Sequence, residues 1–203
     1  MNAQTRRLKV AGPAGEIECA IDGPAGTPRG LALVCHPHPL HGGTMDNKVV
    51  QTLARAFVQL GYEAARFNFR GVGASAGAWD EGRGETDDAQ AVLAACRQPG
   101  QALLLAGFSF GAYVAARVAA ALPAEQAAER LVLVGPAASR FDMPAVPAGT
   151  LVIHGEADDV VPLASVLDWA RPLAQPVTVV PGAGHFFHGQ LPLLKSLVTG
   201  SAA

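Results

Sequence analysis

Residues 103–116 read LLLAGFSFGAYVAA: an apolar run, a five-residue break Gly107-Phe108-Ser109-Phe110-Gly111, then an alanine-rich stretch that continues to Pro123. A short unbroken apolar run suits a strand buried on both faces, and the longer alanine-rich stretch suits a helix. A serine between the two sits on a sharp strand-to-helix turn, whose strained backbone pushes the hydroxyl out over the end of a sheet. Glycines two residues to either side leave room for that turn. The helix that follows aims unpaired N–H groups at any negative charge forming near the serine. The bland alternative is an ordinary glycine-rich turn with no chemistry.

The rest of the chain repeats the alternation. Apolar segments RLKV, IECAI, GLALVC, EAARFNF, RLVLVGPA, TLVIHG and VTVVPG read as strands, the first two as candidates to pair with each other. Between and after them, NKVVQTLARAFVQLG, TDDAQAVLAACRQ, LASVLDWARPLA and LPLLKSLVTG read as helices, with Gly61 as the stop of the first and Thr86 as candidate cap of the second. Strands alternating with helices imply an α/β fold, a mostly parallel sheet covered on both faces. No repeat, linker or shift in composition marks a boundary, so a single domain over 1–203 is expected.

Composition narrows the function classes. Half of the 203 residues are hydrophobic, 16% are charged and the formal net charge is −2, which describes a globular domain without a field for nucleic acid. The first 22 residues hold Arg6 and Arg7 but no apolar core behind them, so no secretory signal is expected, nor any membrane span. Three distant cysteines, Cys19, Cys35 and Cys96, argue against a disulfide framework and for a cytoplasmic protein.

A serine hydroxyl is a poor nucleophile until a base removes its proton, and that base needs an orienting group. On a strand-turn-helix scaffold these partners come later, acid then histidine, each after a strand. TLVIHGEADDVVP (150–162) offers Asp158 and Asp159; VTVVPGAGHFFHG (177–189) offers His185 and His188. A competing chemistry lies in LVCHPHPLHGGTMDNK (33–48), where His36, His38 and His41 form H-x-H-x-x-H. That is similar to the H-x-H-x-D-H zinc stretch of metallo-β-lactamases, with Leu40 where the aspartate would be. A zinc hydrolase on these three histidines is therefore an alternative, weakened by the missing ligand.

The segments CHPHPLHGG, FNFRGVGAS, GFSFG, HGEADDVVP and GAGHFF, in that order over nearly the whole chain, resemble the α/β-hydrolase superfamily, and within it the small cap-less bacterial serine hydrolases. The resemblance implies a Ser109, His185, Asp158 triad hydrolysing carboxylic esters or thioesters, esterase-like. It favours Asp158 over Asp159 through an H-G-x-x-D-x-x-V-P frame (His154, Gly155, Asp158, Val161, Pro162), with Asp142 as the acid if it lies one strand earlier. It favours His185 over His188 and makes His154 structural. The His36-Pro37-His38-Pro39 turn fits the superfamily's H-G-x-P with proline in place of the glycine, which implies an oxyanion hole from the backbone N–H groups of His38 and Phe110.

Further expectations follow from placement. Leu40, His41, Trp79, Phe186 and Phe187 should rim the site. Arg70 and Ser75 should fix their loop, and Asp80, Glu81, Glu85, Asp87 and Asp88 should form a solvated loop and an acidic helix start. No cofactor or metal is implied, and the partner is a small acyl substrate met by a monomer or homodimer. The short stretch between RLVLV and TLVIHG leaves no room for a cap. Alternatives are an amide hydrolase or acyltransferase on the same triad, and a non-catalytic binding protein on the same fold.

Overall fold

A computed structural model describes residues 5–200; residues 1–4 and 201–203 of the expected 1–203 unit lie outside it. Among the described residues eight strands form one sheet: β1 (Arg6–Gly12), β2 (Gly15–Asp22), β3 (Gly30–Cys35), β4 (Glu63–Phe67), β5 (Ala102–Phe108), β6 (Arg130–Val134), β7 (Leu151–Gly155) and β8 (Val177–Val180). Their spatial order is β1-β2-β4-β3-β5-β6-β7-β8. The first two strands pair antiparallel, β2 runs antiparallel to β4, and every pairing from β4 through β8 is parallel.

The faces are covered by helices α1 (Lys48–Gln59), α2 (Arg83–Cys96), α3 (Phe110–Ala121), α4 (Leu163–Ala170) and α5 (Leu191–Gly200). The strict alternation of strand side chains sorts the core into two. Leu103 and Leu105 of β5 pack into the core that holds Val92 of α2, Val114 of α3 and Val166 of α4. Leu104, Ala106 and Phe108 point the other way, into the core with Leu53 and Phe57 of α1 and Leu194 of α5. A strand sandwiched between helical layers must be apolar on both sides, and each fully buried leucine contributes about 1.5–3 kcal/mol.

Two helix boundaries differ from expectation. Helix α2 begins at Arg83, not at Thr86, because the buried Glu85 carboxylate accepts the N–H groups of Asp80 (3.0 Å) and Gly82 (2.8 Å) and caps the helix a turn early. Thr86 instead donates its hydroxyl to the Gly82 carbonyl, 2.6 Å away. The expected helix 163–174 stays α-helical only to Ala170 and finishes as a 3-10 turn, Arg171–Leu173, because Pro172 has no N–H for the ladder. No helix among the described residues is long and apolar enough to cross a membrane.

The strand order places the site. From β3 the chain moves outward to β4 and then returns across β3 to lay down β5, so the connections leave β3 and β5 in opposite directions. Crevices at the carboxyl ends of parallel strands open where the order reverses in this way. Cys35 and Gly107 are register partners, so the His36 turn and the Ser109 turn leave the sheet side by side.

Candidate active site

Ser109 occupies the turn between β5 and α3 with φ 57° and ψ −118°, a backbone region that non-glycine residues avoid. Its own N–H is tied to the Val134 carbonyl of β6 at 2.9 Å. Both flanking glycines are demanded by contact. A Cβ on Gly107 would overlap the Gly111 carbonyl oxygen, and one on Gly111 would overlap that of Cys35. The turn is thus wedged against the end of β3 by backbone alone.

His185 Nε2 lies 3.0 Å from Ser109 Oγ, and His185 Nδ1 lies 2.7 Å from Asp158 Oδ2. The carboxylate is acceptor only, so it fixes the proton on Nδ1 and leaves Nε2 to accept from the serine hydroxyl. Asp158 Oδ1 accepts the N–H groups of Val160 (3.0 Å) and Val161 (2.7 Å). Burial alone would raise the Asp158 carboxyl, but the His185 ring and the Val161 N–H outweigh it and hold the group below the ordinary carboxylate range. Asp158 is thereby kept ionised next to the ring it orients. The carboxylate on His185 is that of Asp158; Asp159 and Asp142 lie on the surface, as does His188.

His154, fully buried, binds the Val161 carbonyl through Nε2 at 2.9 Å and stands 3.5 Å from Asp158 Oδ2. Burial keeps its imidazole neutral by lowering its pKa. It packs beneath the acid loop, and its Nδ1 finds no partner among the described residues.

The three histidines of the second turn separate into different tasks. His36 is buried with both ring nitrogens engaged: Nδ1 donates to the Pro37 carbonyl (2.6 Å) and Nε2 accepts the Phe69 N–H (3.0 Å). It has no lone pair left for a metal, which removes a ligand from the zinc alternative, and no cluster of three His, Cys, Asp or Glu side chains among the described residues is placed to hold one. The His38 carbonyl accepts the N–H groups of His41 and Gly43, closing a turn so tight that a Cβ on Gly43 would overlap the Pro37 oxygen. The backbone N–H groups of His38 and Phe110 make no hydrogen bond to protein among the described residues. Arg66, buried, braces this loop by donating to the Met45 carbonyl and to the carboxylates of Asp46 (3.0 Å) and Asp22 (2.9 Å).

A cavity of about 170 Å³ opens beside Ser109 and His185. Of the five expected rim residues, His41 and Phe186 line it. Leu40 sits on the same loop but points to solvent, 66% exposed. Trp79 stands behind the wall, its ring 4.4 Å from that of His38 and 5.0 Å from that of Phe110. Phe187 corrects the expectation outright: its backbone turns to φ 51° and drives the ring into the α1/α5 core, fully buried, while Phe186 stays at the mouth. Arg70 and Ser75 hold their loop, the first through paired 2.8 Å bonds to Asp88, the second by donating to the Asn68 carbonyl. The acidic stretch is therefore only partly solvated: Glu85 caps a helix and Asp88 is a buried ion-pair partner.

Sequence reasoning missed Arg140 and Phe141 as lining residues. No motif marks them. The available signal is positional: the loop after β6 leaves the sheet next to the serine turn and has to overhang it.

A parallel sheet with a serine, a histidine and an aspartate hydrogen-bonded in series at its carboxyl edge defines an α/β-hydrolase. The profile of the hydrolase family described as "Serine aminopeptidase, S33" matches residues 29–147, more than half of the chain, and the chain belongs to that family. It is 42% identical to an α/β serine hydrolase without lid from Xanthomonas campestris, covering 100% of this chain and 95% of that one with a TM-score of 0.88. A serine hydrolase homologue from Coxiella burnetii is also 42% identical, over 98% of this chain and 97% of that one, with a TM-score of 0.86. An uncharacterized protein of Rickettsia prowazekii is 33% identical over 87% of this chain and 79% of its own.

Proposed function

We propose that this hydrolase cleaves carboxylic esters or thioesters through an acyl-enzyme on Ser109. The observation that carries the reading is the relay Asp158–His185–Ser109, with bonds of 2.7 and 3.0 Å, on a strained serine turn. Ser109 Oγ attacks the carbonyl carbon as its proton passes to His185 Nε2, and Asp158 stabilises the imidazolium. The N–H groups of His38 and Phe110 receive the oxyanion; loss of one such donor typically costs about 10²–10³ in rate. Collapse breaks the bond to the leaving alcohol or thiol, which takes the proton from His185. Water then gives a proton to His185 as it attacks the acyl carbon, and Ser109 recovers that proton when the carboxylic acid departs.

The family's description includes peptide cleavage at a free amino terminus. Such a substrate carries a protonated amine and calls for a carboxylate near the scissile bond. Among the described residues none lines this cavity, where the charged side chain is Arg140. This favours esters over aminopeptidase action.

The test is reaction of the purified protein with a fluorophosphonate probe, alongside Ser109→Ala and a chelator-treated sample. Labelling that survives chelator and vanishes in the variant is expected. A folded wild type that fails to label would remove the reading and leave a binding role for the fold.

A further inference from the structure

Arg140 is the charged side chain of the cavity, and no carboxylate among the described residues lines the wall to answer it. Many other arginines have a protein partner: Arg66 on Asp22 and Asp46, Arg70 on Asp88, Arg83 on Asp80 and Glu81, Arg171 on Asp168, Arg97 on backbone carbonyls and Arg117 on the Tyr113 hydroxyl. Arg140 has no ion pair among the described residues. The backbone that carries it is nevertheless fixed. The N–H groups of Arg140 and Phe141 both donate to the Ala137 carbonyl, at 3.0 and 3.1 Å. Phe141 then anchors the segment by stacking on Tyr113 at 4.8 Å and packing 5.1 Å from Phe110.

The charge also reaches the chemistry. His38, whose amide faces the oxyanion position, has its imidazole pKa lowered first by burial and then by the positive fields of His41 and Arg140. The cavity wall beside it is apolar, with Phe110, Phe141, Val160 and Phe186, and Arg140 is itself exposed at the mouth, where an incoming substrate meets it together with solvent. A planar fork with five N–H donors and no internal partner is matched by a carboxylate, which it can bind with two parallel hydrogen bonds.

We propose that Arg140 selects esters that carry an anionic group, a carboxylate foremost, on the acyl or the alcohol portion beside the scissile bond. The inference rests on the ester-hydrolase reading and names its substrate class. Ester hydrolysis needs only one neutral carbonyl, so a cation held at the cavity wall without a protein partner is specificity chemistry, not bond-breaking chemistry.

Two matched substrate pairs test it. Mono-p-nitrophenyl glutarate against p-nitrophenyl pentanoate places the charge on the acyl side. 4-Carboxyphenyl butyrate against 4-carbamoylphenyl butyrate places it on the alcohol side. Ser109→Ala supplies the background for the self-hydrolysing glutarate. In at least one pair the wild type is expected to prefer the anion by about three- to fivefold in kcat/KM, the worth of a solvent-exposed ion pair. That ratio should approach one in Arg140→Gln, survive in part in Arg140→Lys, fall with added salt, and stay at the wild-type value in Arg171→Gln. The pair that responds identifies the side carrying the anion. Equal turnover of both pairs, or a preference that persists in Arg140→Gln, overturns the assignment while leaving Ser109 labelling and ester hydrolysis in place. Absence of both labelling and hydrolysis would take down the reading beneath it as well.

Discussion

His36 illustrates how a single side chain sets both the shape of the site and the response of the fold to acid. It bridges the Pro37 carbonyl and the Phe69 N–H only as the neutral Nδ1–H tautomer, and burial pushes its pKa down to about 4. In the unfolded chain it titrates near 6.5. Between those values the unfolded state binds more protons than the folded one, so stability falls as pH drops from about 6.5 to about 4, by up to about 3 kcal/mol, and levels below that. His36→Phe keeps the ring and loses the titration. At pH 7 the variant is expected to be about 1–3 kcal/mol less stable, since the Phe69 N–H is left buried and unpaired. The gap should narrow steadily as urea melts are repeated toward pH 4; parallel profiles for the two proteins would show that His36 does not carry the effect. At this scale the triad was legible because each member ends a strand within a recognisable frame. Phe186 and Phe187 were not separable, being identical neighbours distinguished only by the sign of one backbone angle. Arg140 was invisible because its importance comes from what surrounds it in space.

Between elements, the triad depends on how closely two loops approach. Gly155 closes β7, and a Cβ there would overlap the Ala183 carbonyl oxygen in the loop that carries His185. The N–H of Ala157 donates to that same carbonyl at 2.9 Å, so the acid loop and the histidine loop are stitched by backbone. Gly155→Ala must push them apart, and a displacement near 1 Å is enough to cost about 10²-fold in rate. The variant is expected to label with fluorophosphonate about 10²-fold more slowly and to melt several degrees lower. Gly23→Ala, where a Cβ meets nothing within 4 Å, should match the wild type in both measurements. Normal labelling in Gly155→Ala would mean the loops tolerate separation. Strands and helices themselves were readable from periodicity, because a two-sided sheet demands apolar runs. The start of α2 was not: it needs Gly82 at φ 91° so that Glu85 can fold back onto the N–H groups before it.

Over the whole molecule, alternation announced a parallel α/β sheet but not the order of its strands, since pairing β2 with β4 and returning across β3 leaves no local trace in composition. That order is what makes a crevice, and the short link from β6 to β7 is what leaves it uncovered. Residues 135–150 form no helix or strand, only turns that carry Ala137, Arg140 and Phe141 over the serine. The cavity beneath is about 170 Å³, and at its mouth Phe186 is 42% exposed. An acyl chain therefore gains from burial only over its first carbons. Each CH₂ taken out of water is worth about 0.8 kcal/mol, close to fourfold in kcat/KM, and one still in water is worth nothing. For neutral p-nitrophenyl esters, kcat/KM is expected to climb from acetate and then flatten between butyrate and octanoate, with decanoate no better. A climb that continued through decanoate would require a long covered groove, and so an element closing over the site that this fold does not supply.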